Sequence, residues 1–235
     1  MLLSNLDCLV STHWLAKNLK AKRRLIVMDA SYSVAGGTLL SAKEYKAEHI
    51  SNAVFFDINK VADQQSQLSH MMPSALEFSQ QVEKLGVSNK HMVVVYDRNG
   101  GACAASRAWW MFKVFGHDNV AILDGGLQKW KSDGYDVEGK ATITAPTTFS
   151  AINQLEYLVL KKADIQSNIK NSYYQVIDAR SQGRFWGSEK EPNKHLPSGH
   201  IPHSTNIPYT DLYNKPKSTF KTVKELRLIF KEKEI

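Results

Sequence analysis

Short apolar runs alternate with segments of helical spacing through the first 140 residues. The runs have the length of buried strands. They lie at Leu25–Met28, Ala53–Phe56, Met92–Tyr96 and Ala121–Leu123. Between and after them, helical segments are predicted at residues 41–48, 73–85, 104–115 and around Trp130. This alternation is typical of α/β units, and it predicts an α/β fold with mostly parallel sheets.

Single residues predict where two of these helices begin and end. Ser41 precedes a run of good helix formers and is predicted to cap its N-terminus. Pro73 stands near the start of the next helical segment, and Gly86 stands just past its end. Proline at the start and glycine after the end of a helix is the favoured order.

A threonine-rich stretch separates two blocks with matching landmarks. Val27–Ser31 is echoed by Val176–Arg180, and the His-Ile pair at His49 by the pair at His200. The spacing from aspartate to histidine is 20 residues in the first block and 22 in the second. Two landmarks at nearly equal spacing predict an internal duplication. We therefore divide the chain into a domain at 1–140, a linker or extended packed segment at 141–155, and a second domain at 156–235.

Composition narrows the class of protein without selecting a function. The 235 residues are 43% hydrophobic and 23% charged, and they contain 2 cysteines. No apolar run reaches membrane-spanning length and no secretory signal is visible, so we expect a cytoplasmic, reduced protein. The net charge of +7 comes without a basic run, which argues against nucleic acid as a partner. A mild positive field suits a small anionic substrate, and it equally suits plain solubility.

Six short motifs then point to one family. They are His49–Asp57, Arg107–Phe112, Leu123–Gly126, Asp178–Arg180, Gly183–Phe185 and Ser198–Pro202. From about Leu9 to Ile235 the chain closely resembles the tandem-domain rhodaneses, the thiosulfate and 3-mercaptopyruvate sulfurtransferases. The resemblance implies two rhodanese-like domains, of which the first is of the non-catalytic type.

The resemblance also implies a reaction. A cysteine thiolate takes a sulfane sulfur from a small anionic donor, becomes a persulfide, and passes the sulfur to a thiol or cyanide acceptor. Backbone N–H groups of a loop at a helix N-terminus stabilise the thiolate. Arginines of the second domain hold the donor. The resemblance implies no cofactor, and neither metal-ligand spacing nor a dinucleotide-binding motif occurs in the sequence.

The family's nucleophile lies in a Cys-Gly-Ser-Gly-like loop of the second domain. If the repeat holds, Ile235 corresponds to Val87, and the loop would correspond to the segment that Asp97 opens in the first copy. That loop would begin about ten residues beyond Ile235. We therefore expect a truncated second domain, no catalytic cysteine in this chain, and sulfur transfer only in a full-length form.

Neither cysteine present is a convincing substitute. Cys103 lies in the first domain's counterpart of the loop, and we interpret it as a buried, packed thiol. Cys8 has no charged partner nearby in the sequence. A Cys-x5-Arg phosphatase is excluded because Trp14 and Trp109 stand where the arginine is required.

Three other residues are candidates for the site. Arg184 matches a substrate-binding arginine of the mercaptopyruvate branch. The branch's second arginine follows Glu-Pro, and Lys194 is the nearest cation there in this chain, without the bidentate fork of arginine. His70 matches an accessory histidine whose acidic partner is replaced by Asn59, which makes it a weak catalytic candidate.

The remaining polar and aromatic landmarks are interpreted as structural. We expect Arg180 to pair near the sheet edge, and His49 and His200 to fix loops. The aromatic residues Trp109, Trp110 and Phe112 are expected to pack. Two other functions stay open: a non-catalytic remnant that binds an anion or a partner, and a fragment of an interrupted precursor.

Overall fold

The computed structural model describes residues 8–20, 24–33, 37–101, 103–192, 196–214 and 217–235. The chain forms two compact units. The first comprises Met1–Leu158 with Lys217–Thr219, and the second comprises Val159–Pro216 with Phe220–Ile235. The division into domains at 1–140 and 156–235 stays a prediction, and each unit is described here by itself.

The first unit is built on a five-stranded sheet in the order β1-β6-β5-β2-β4, with every pairing parallel. A separate antiparallel pair joins β3 and β7. The strands are β1 Leu9–Val10, β2 Leu25–Asp29, β3 His49–Ile50, β4 Val54–Phe55, β5 Met92–Tyr96, β6 Val120–Leu123 and β7 Val137–Glu138. The mostly parallel α/β sheet that the sequence predicts is therefore confirmed.

Five α-helices and one 3-10 turn are described in the first unit. The helices are α1 Thr12–Leu19, α2 Gly37–Ala47, α3 Ala75–Lys84, α4 Ala104–Val114 and α5 Gly126–Ser132, and the turn is Glu156–Leu158. α3 begins at a capping box in which Ser74 and Glu77 satisfy each other's backbone N–H groups. It ends before Gly86, whose φ of +76° is readily adopted only by glycine.

Strand β5 is the centre of this unit because all five of its residues are buried. Its neighbours β2 and β6 lie in register on either side, with Val27 opposite Val94 and Val94 opposite Ala121. Such continuous apolar runs are expected where helices cover both faces of a parallel sheet. The predicted strand and the observed strand coincide here.

The predicted cap at Ser41 is wrong. Helix α2 begins at Gly37, so Ser41 lies inside it. The Ser41 side chain is buried, and its hydroxyl accepts a hydrogen bond from the Ser33 N–H at 2.9 Å. A serine that satisfies a neighbouring backbone group in this way is not available to cap its own helix.

Residues 141–155 form an extended segment that is part of the first unit. The Phe149 N–H donates to the Glu83 carboxylate at 2.9 Å, and the Ala151 N–H donates to the Ser79 hydroxyl at 3.0 Å. The Phe149 ring is buried edge-on against Phe78. The segment therefore packs on α3 and on the core of the first unit.

Three α-helices and a short parallel strand pair are described in the second unit. β8 and β9 pair in parallel, with Ile177 opposite Thr205. Its elements are α6 Lys162–Asn171, β8 Val176–Asp178, α7 Gln182–Trp186, β9 Ser204–Asn206, a 3-10 turn at Tyr209–Leu212, β10 Tyr213–Asn214, β11 Thr219–Phe220, which begins in the first unit, and α8 Val223–Glu232. Among the helices that the structure describes in either unit, none is long and apolar enough to cross a membrane.

Candidate functional site

The loop that follows β5 is organised around one buried carboxylate. Asp97 Oδ1 accepts hydrogen bonds from the N–H groups of Asn99 and Gly101, both at 2.8 Å. Its Oδ2 accepts from the N–H of Ala105 at 3.0 Å and, more weakly, from that of Cys103 at 3.4 Å. Four converging N–H groups form the kind of concave nest that binds anions. In this loop the anion is supplied by the chain itself.

The glycines of the motif Leu123–Gly126 allow that loop to close. Gly126 has a φ of +54°, and a Cβ there would lie 2.3 Å from the carbonyl oxygen of Asp97. The next residue, Leu127, donates its N–H to the same carbonyl at 3.0 Å. Only glycine fits at this point, because a side chain would push α5 away from the loop.

Cys103 is exposed, which corrects the expectation of a buried, packed thiol. It stands at the N-cap of α4 without a side-chain capping bond. Although the residue is exposed, partial desolvation of the sulfur raises the pKa of the Cys103 thiol, and the nearby Asp97 carboxylate raises it further. A nucleophilic cysteine needs the opposite shift.

Cys8 is also an exposed free thiol. It precedes β1, and its carbonyl accepts the N–H of Ile122 in the adjacent strand at 2.8 Å. It has a role in sheet pairing through its backbone.

His70 contacts polar and aromatic side chains of the first unit. Its Nε2 is 2.6 Å from the Asn59 side-chain oxygen, and its ring stands edge-on to Tyr32 at 5.2 Å. Arg107 donates from Nη2 to the His70 carbonyl at 2.6 Å and lies over the Trp110 ring. Partial burial, followed by the positive charge of Arg107, lowers the pKa of His70. The structure thus joins His70 to Asn59, the residue that stands where a carboxylate was expected.

In the second unit, two arginines converge on one buried glutamate. Arg184 donates from Nη2 to Glu191 Oε2 at 2.6 Å and from Nε at 3.2 Å. Arg180 donates from Nη1 to Glu191 Oε1 at 2.8 Å. Hydrogen bonds from Arg184, together with the charges of both arginines, hold the pKa of Glu191 below its usual range against the opposing effect of burial.

Arg180 has the structural surroundings that were expected of it. Its Nε and Nη2 donate to the Asp178 carboxylate, at 3.0 and 2.5 Å, and Nη2 also donates to the Gly199 carbonyl at 2.8 Å. All three of its nitrogens are therefore used within the unit. These hydrogen bonds lower the pKa of Asp178.

Arg184 lies on α7, which Ser181 caps by accepting the Arg184 N–H at 3.3 Å. The other residue predicted to bind substrate, Lys194, falls outside the described residues. A cavity of about 610 Å³ is lined by residues 176–180, 196–202 and 204, and Arg184 is not among them. Arg180 contributes to its wall.

The two repeated histidines make the same pair of contacts. His49 places Nδ1 2.6 Å from the Tyr45 carbonyl and stacks on the Tyr45 ring. His200 places Nδ1 2.9 Å from the Phe185 carbonyl and stacks on the Phe185 ring. The parallel supports the predicted duplication and a loop-fixing role for both. Among the described residues, no group of three or more metal-ligating side chains occurs.

Comparison with known proteins identifies the family. The rhodanese-like domain model matches residues 11–133. The thiosulfate/3-mercaptopyruvate sulfurtransferase 2 of Arabidopsis thaliana is 39% identical over 99% of this chain and 73% of its own length. The 3-mercaptopyruvate sulfurtransferase of Mus musculus is 38% identical over 97% of this chain and 77% of its own length.

Solved structures agree with this assignment. The crystal structure of SseA from Escherichia coli, a 3-mercaptopyruvate sulfotransferase with the rhodanese fold, superposes with a TM-score of 0.86 at 34% identity. That match covers 97% of this chain and 84% of SseA. The Tum1 protein of Saccharomyces cerevisiae gives a TM-score of 0.86 at 25% identity over 99% of this chain and 81% of its own. The chain belongs to the rhodanese family.

Two residues that the sequence left without a role are central to the described sites. In the sequence, Asp97 is identifiable only as the first residue of a loop that follows a buried strand. Glu191 is the glutamate of the Glu-Pro pair that precedes Lys194, and the sequence gives it no role of its own. A separation of seven residues does not by itself predict a contact between Arg184 and Glu191. The two side chains meet because the chain turns back after α7.

Proposed function

We propose that this chain belongs to a sulfurtransferase that moves sulfane sulfur from 3-mercaptopyruvate or thiosulfate to a thiol or cyanide acceptor. The relatives that share 36–39% of its residues over nearly its whole length carry those names. Arg184 holds the donor's anionic end, with Lys194 as a second cation. The half-exposed guanidinium of Arg184, fixed from behind by Glu191, is the observation that carries this assignment.

The persulfide-forming cysteine of that reaction is neither Cys103 nor Cys8. At Cys103 the thiol pKa is raised, and the nest beneath it already holds Asp97. A second anion, such as a thiolate, would be repelled there. We propose that residues 1–235 supply the donor site and a first domain of the non-catalytic type.

His70 is proposed as an accessory residue in the same reaction. A neutral imidazole, favoured by its lowered pKa, can accept a proton from an incoming thiol acceptor. Its partner Asn59 fixes the ring but cannot stabilise an imidazolium as a carboxylate would. This limits His70 to a modest contribution.

The test is a pair of assays on the 235-residue chain, with thiosulfate and cyanide in one and 3-mercaptopyruvate and a thiol in the other. We expect turnover no higher than a protein-free blank, and no stable persulfide on either cysteine by mass spectrometry. Cys103→Ser is the matched variant. Turnover that disappears in Cys103→Ser would show that the first unit is catalytic and that the assignment of the nucleophile is wrong.

The second function, a non-catalytic module that binds an anion or a partner, is favoured by the Asp97-filled nest. It shares the Arg184 site with the first proposal. Saturable anion binding by this chain, combined with no sulfur transfer after a rhodanese catalytic segment is fused to it, would favour the binding module. Under either proposal the protein is cytoplasmic, and nucleic acid and membrane are not partners.

A further inference from the structure

The arginine that is proposed to hold the donor is already largely occupied. Glu191 receives Nε and Nη2 of Arg184, which together form one edge of the guanidinium. Among the described residues, no hydrogen bond reaches Nη1 of Arg184. An incoming anion can therefore bind at the Nη1 end of Arg184. The edge formed by Nε and Nη2 is already taken by Glu191.

The cluster is also electrically balanced. Arg180 and Arg184 contribute two positive charges, and Asp178 and Glu191 contribute two negative charges. The Glu191 side chain is only 3% exposed, while that of Arg184 is 28% exposed. The fixed negative charge thus lies beneath the cation, on the side away from solvent, and an anion must bind Arg184 in its field.

That field acts differently on the two donor classes. A carboxylate donor such as 3-mercaptopyruvate carries one negative charge at its binding end, whereas thiosulfate carries two. Repulsion from one fixed carboxylate scales with the charge of the ligand. The negative charge of Glu191 therefore weakens binding of the dianion more than it weakens binding of the monoanion.

We propose that Glu191 is a specificity-determining residue, whose negative charge beside Arg184 shifts the preference of the donor site away from doubly charged thiosulfate and toward a singly charged carboxylate. Glu191 acts through Arg184 and is a positioning residue, not a catalytic one. The inference rests on the proposed function, because it requires Arg184 to be the donor's cation.

The experiment compares two anions on the same chain by NMR titration of the ¹⁵N-labelled protein at constant ionic strength. Sodium thiosulfate is the dianion. Sodium pyruvate is the monoanion, with the keto acid of 3-mercaptopyruvate but no thiol. Constant ionic strength matters because added salt itself screens surface charge. The quantity measured is the ratio of the two dissociation constants.

Glu191→Gln keeps the shape of the side chain and removes its charge. We expect it to shift the ratio toward thiosulfate by about tenfold, since one charge is removed within a few ångströms of the ligand. Glu191→Asp keeps the charge and should restore most of the wild-type preference. A merely structural role of Glu191 would weaken both anions together and leave the ratio unchanged.

Glu189→Gln is the matched control. Glu189 lies on the same turn and is exposed, and it accepts a hydrogen bond from the Ser181 hydroxyl at 2.5 Å without contacting either arginine. Its substitution changes the net charge of the protein by the same amount as Glu191→Gln. We expect a change in the ratio of less than about twofold, because an exposed charge is well screened.

The outcomes separate this inference from the proposal beneath it. If Arg184→Ala abolishes binding of both anions while Glu191→Gln leaves the ratio within twofold of wild type, the role of Glu191 is wrong and the donor site stands. If Arg184→Ala leaves both affinities unchanged, or the wild-type chain shows no saturable shift, the donor site itself is wrong and this inference falls with it.

A second variant keeps the test decisive if Glu191→Gln does not fold. Asp178→Asn removes a charge from the same cluster but contacts Arg180 and not Arg184. It should shift the ratio in the same direction by about threefold, because the charge is farther from the ligand. An unchanged ratio in Asp178→Asn would overturn the charge argument.

Discussion

The two units carry the same strand-end aspartate and surround it differently. In the first unit, β2 lies between β5 and β4, and Asp29 at its end is fully buried. Asp29 accepts the Ser31 N–H at 2.9 Å, and burial raises the pKa of its carboxyl. In the second unit, β8 pairs only with β9 among the described strands, and Asp178 is ion-paired with Arg180. Asp29 lies on a strand with two neighbours and is desolvated, whereas Asp178 lies on a strand with one described neighbour and is neutralised by Arg180.

The cores of the two units differ in the same way. Nearly all of the buried hydrophobic side chains belong to the first unit. Among the described residues of the second unit, only Phe185 and Ile207 are buried hydrophobics, and no residue of α8 is buried. Burial of apolar surface is the main favourable term in folding. The first unit should therefore be the more stable of the two.

The largest effect should come from the aromatic core of the first unit. Phe78 is fully buried among Phe112, Phe115 and Phe149. Phe78→Ala should cost about 3–5 kcal/mol of unfolding free energy, because it leaves a cavity in a packed core. Phe185→Ala, in the second unit, should cost about 1–2 kcal/mol, since few buried neighbours surround it.

The free energy of unfolding of both variants is measured by urea titration. Amide hydrogen exchange then reports the loss of stability in each unit separately. Four of the five tryptophans lie in the first unit, so intrinsic fluorescence reports mainly on that unit. Equal losses for Phe78→Ala and Phe185→Ala would contradict the difference in stability between the two cores.

The next effect concerns the filled nest of the first unit. Asp97→Ala leaves the N–H groups of the loop without their acceptor, and we expect a loss of about 2–4 kcal/mol. Asp136, which is exposed, is the control. Asp136→Ala should change the free energy of unfolding by less than about 0.5 kcal/mol. If the two alanine variants are equally stable in urea, the nest does not need its carboxylate.

A smaller effect is acid sensitivity of the first unit. His117 is buried between Phe112 and Phe149, and burial is the main cause that lowers its pKa. Its folded pKa then lies below the unfolded value of about 6.5. The unfolded chain binds the proton more readily, so this stability is complete above pH 6.5 and is lost as the pH falls below it.

The measurement is the free energy of unfolding between pH 7.5 and pH 5.5. We expect the wild type to lose about 1 kcal/mol over this range, and His117→Gln to lose less. His13, an exposed histidine, provides the control. A His117→Gln profile parallel to those of wild type and His13→Gln would show that His117 does not cause the dependence.

The smallest effect tests the two aspartates directly. The raised pKa of Asp29 means that its contribution to stability decreases as the pH rises through its titration. The lowered pKa of Asp178 means that its contribution is present above the unfolded value and is lost on acidification. Relative to wild type, the stabilities of Asp29→Asn and Asp178→Asn should therefore shift in opposite directions between pH 3 and pH 6. Shifts of the same sign would remove the distinction.

Much of the first unit could be predicted from local sequence. Five consecutive apolar residues at Met92–Tyr96, three of them valines, indicate a buried strand, and the observed strand has the same ends. Helix α3 matches because Ser74, Glu77 and Gly86 encode its ends through their own side chains or backbone freedom. The predicted N-cap at Ser41 failed because its hydroxyl accepts a hydrogen bond from the N–H of Ser33, eight positions away.

The candidate sites, like the fold, were predictable from the sequence only in part. The sequence by itself determined the family, the α/β fold and Arg184 as a candidate, because these follow from short contiguous motifs. Only the tertiary structure decided what surrounds them. The four N–H groups around Asp97 converge after the loop closes on Gly126, and Glu191 meets two arginines after α7 turns back. Local motifs specify which groups are available, but hydrogen bonds and ion pairs depend on distances that only the folded chain sets.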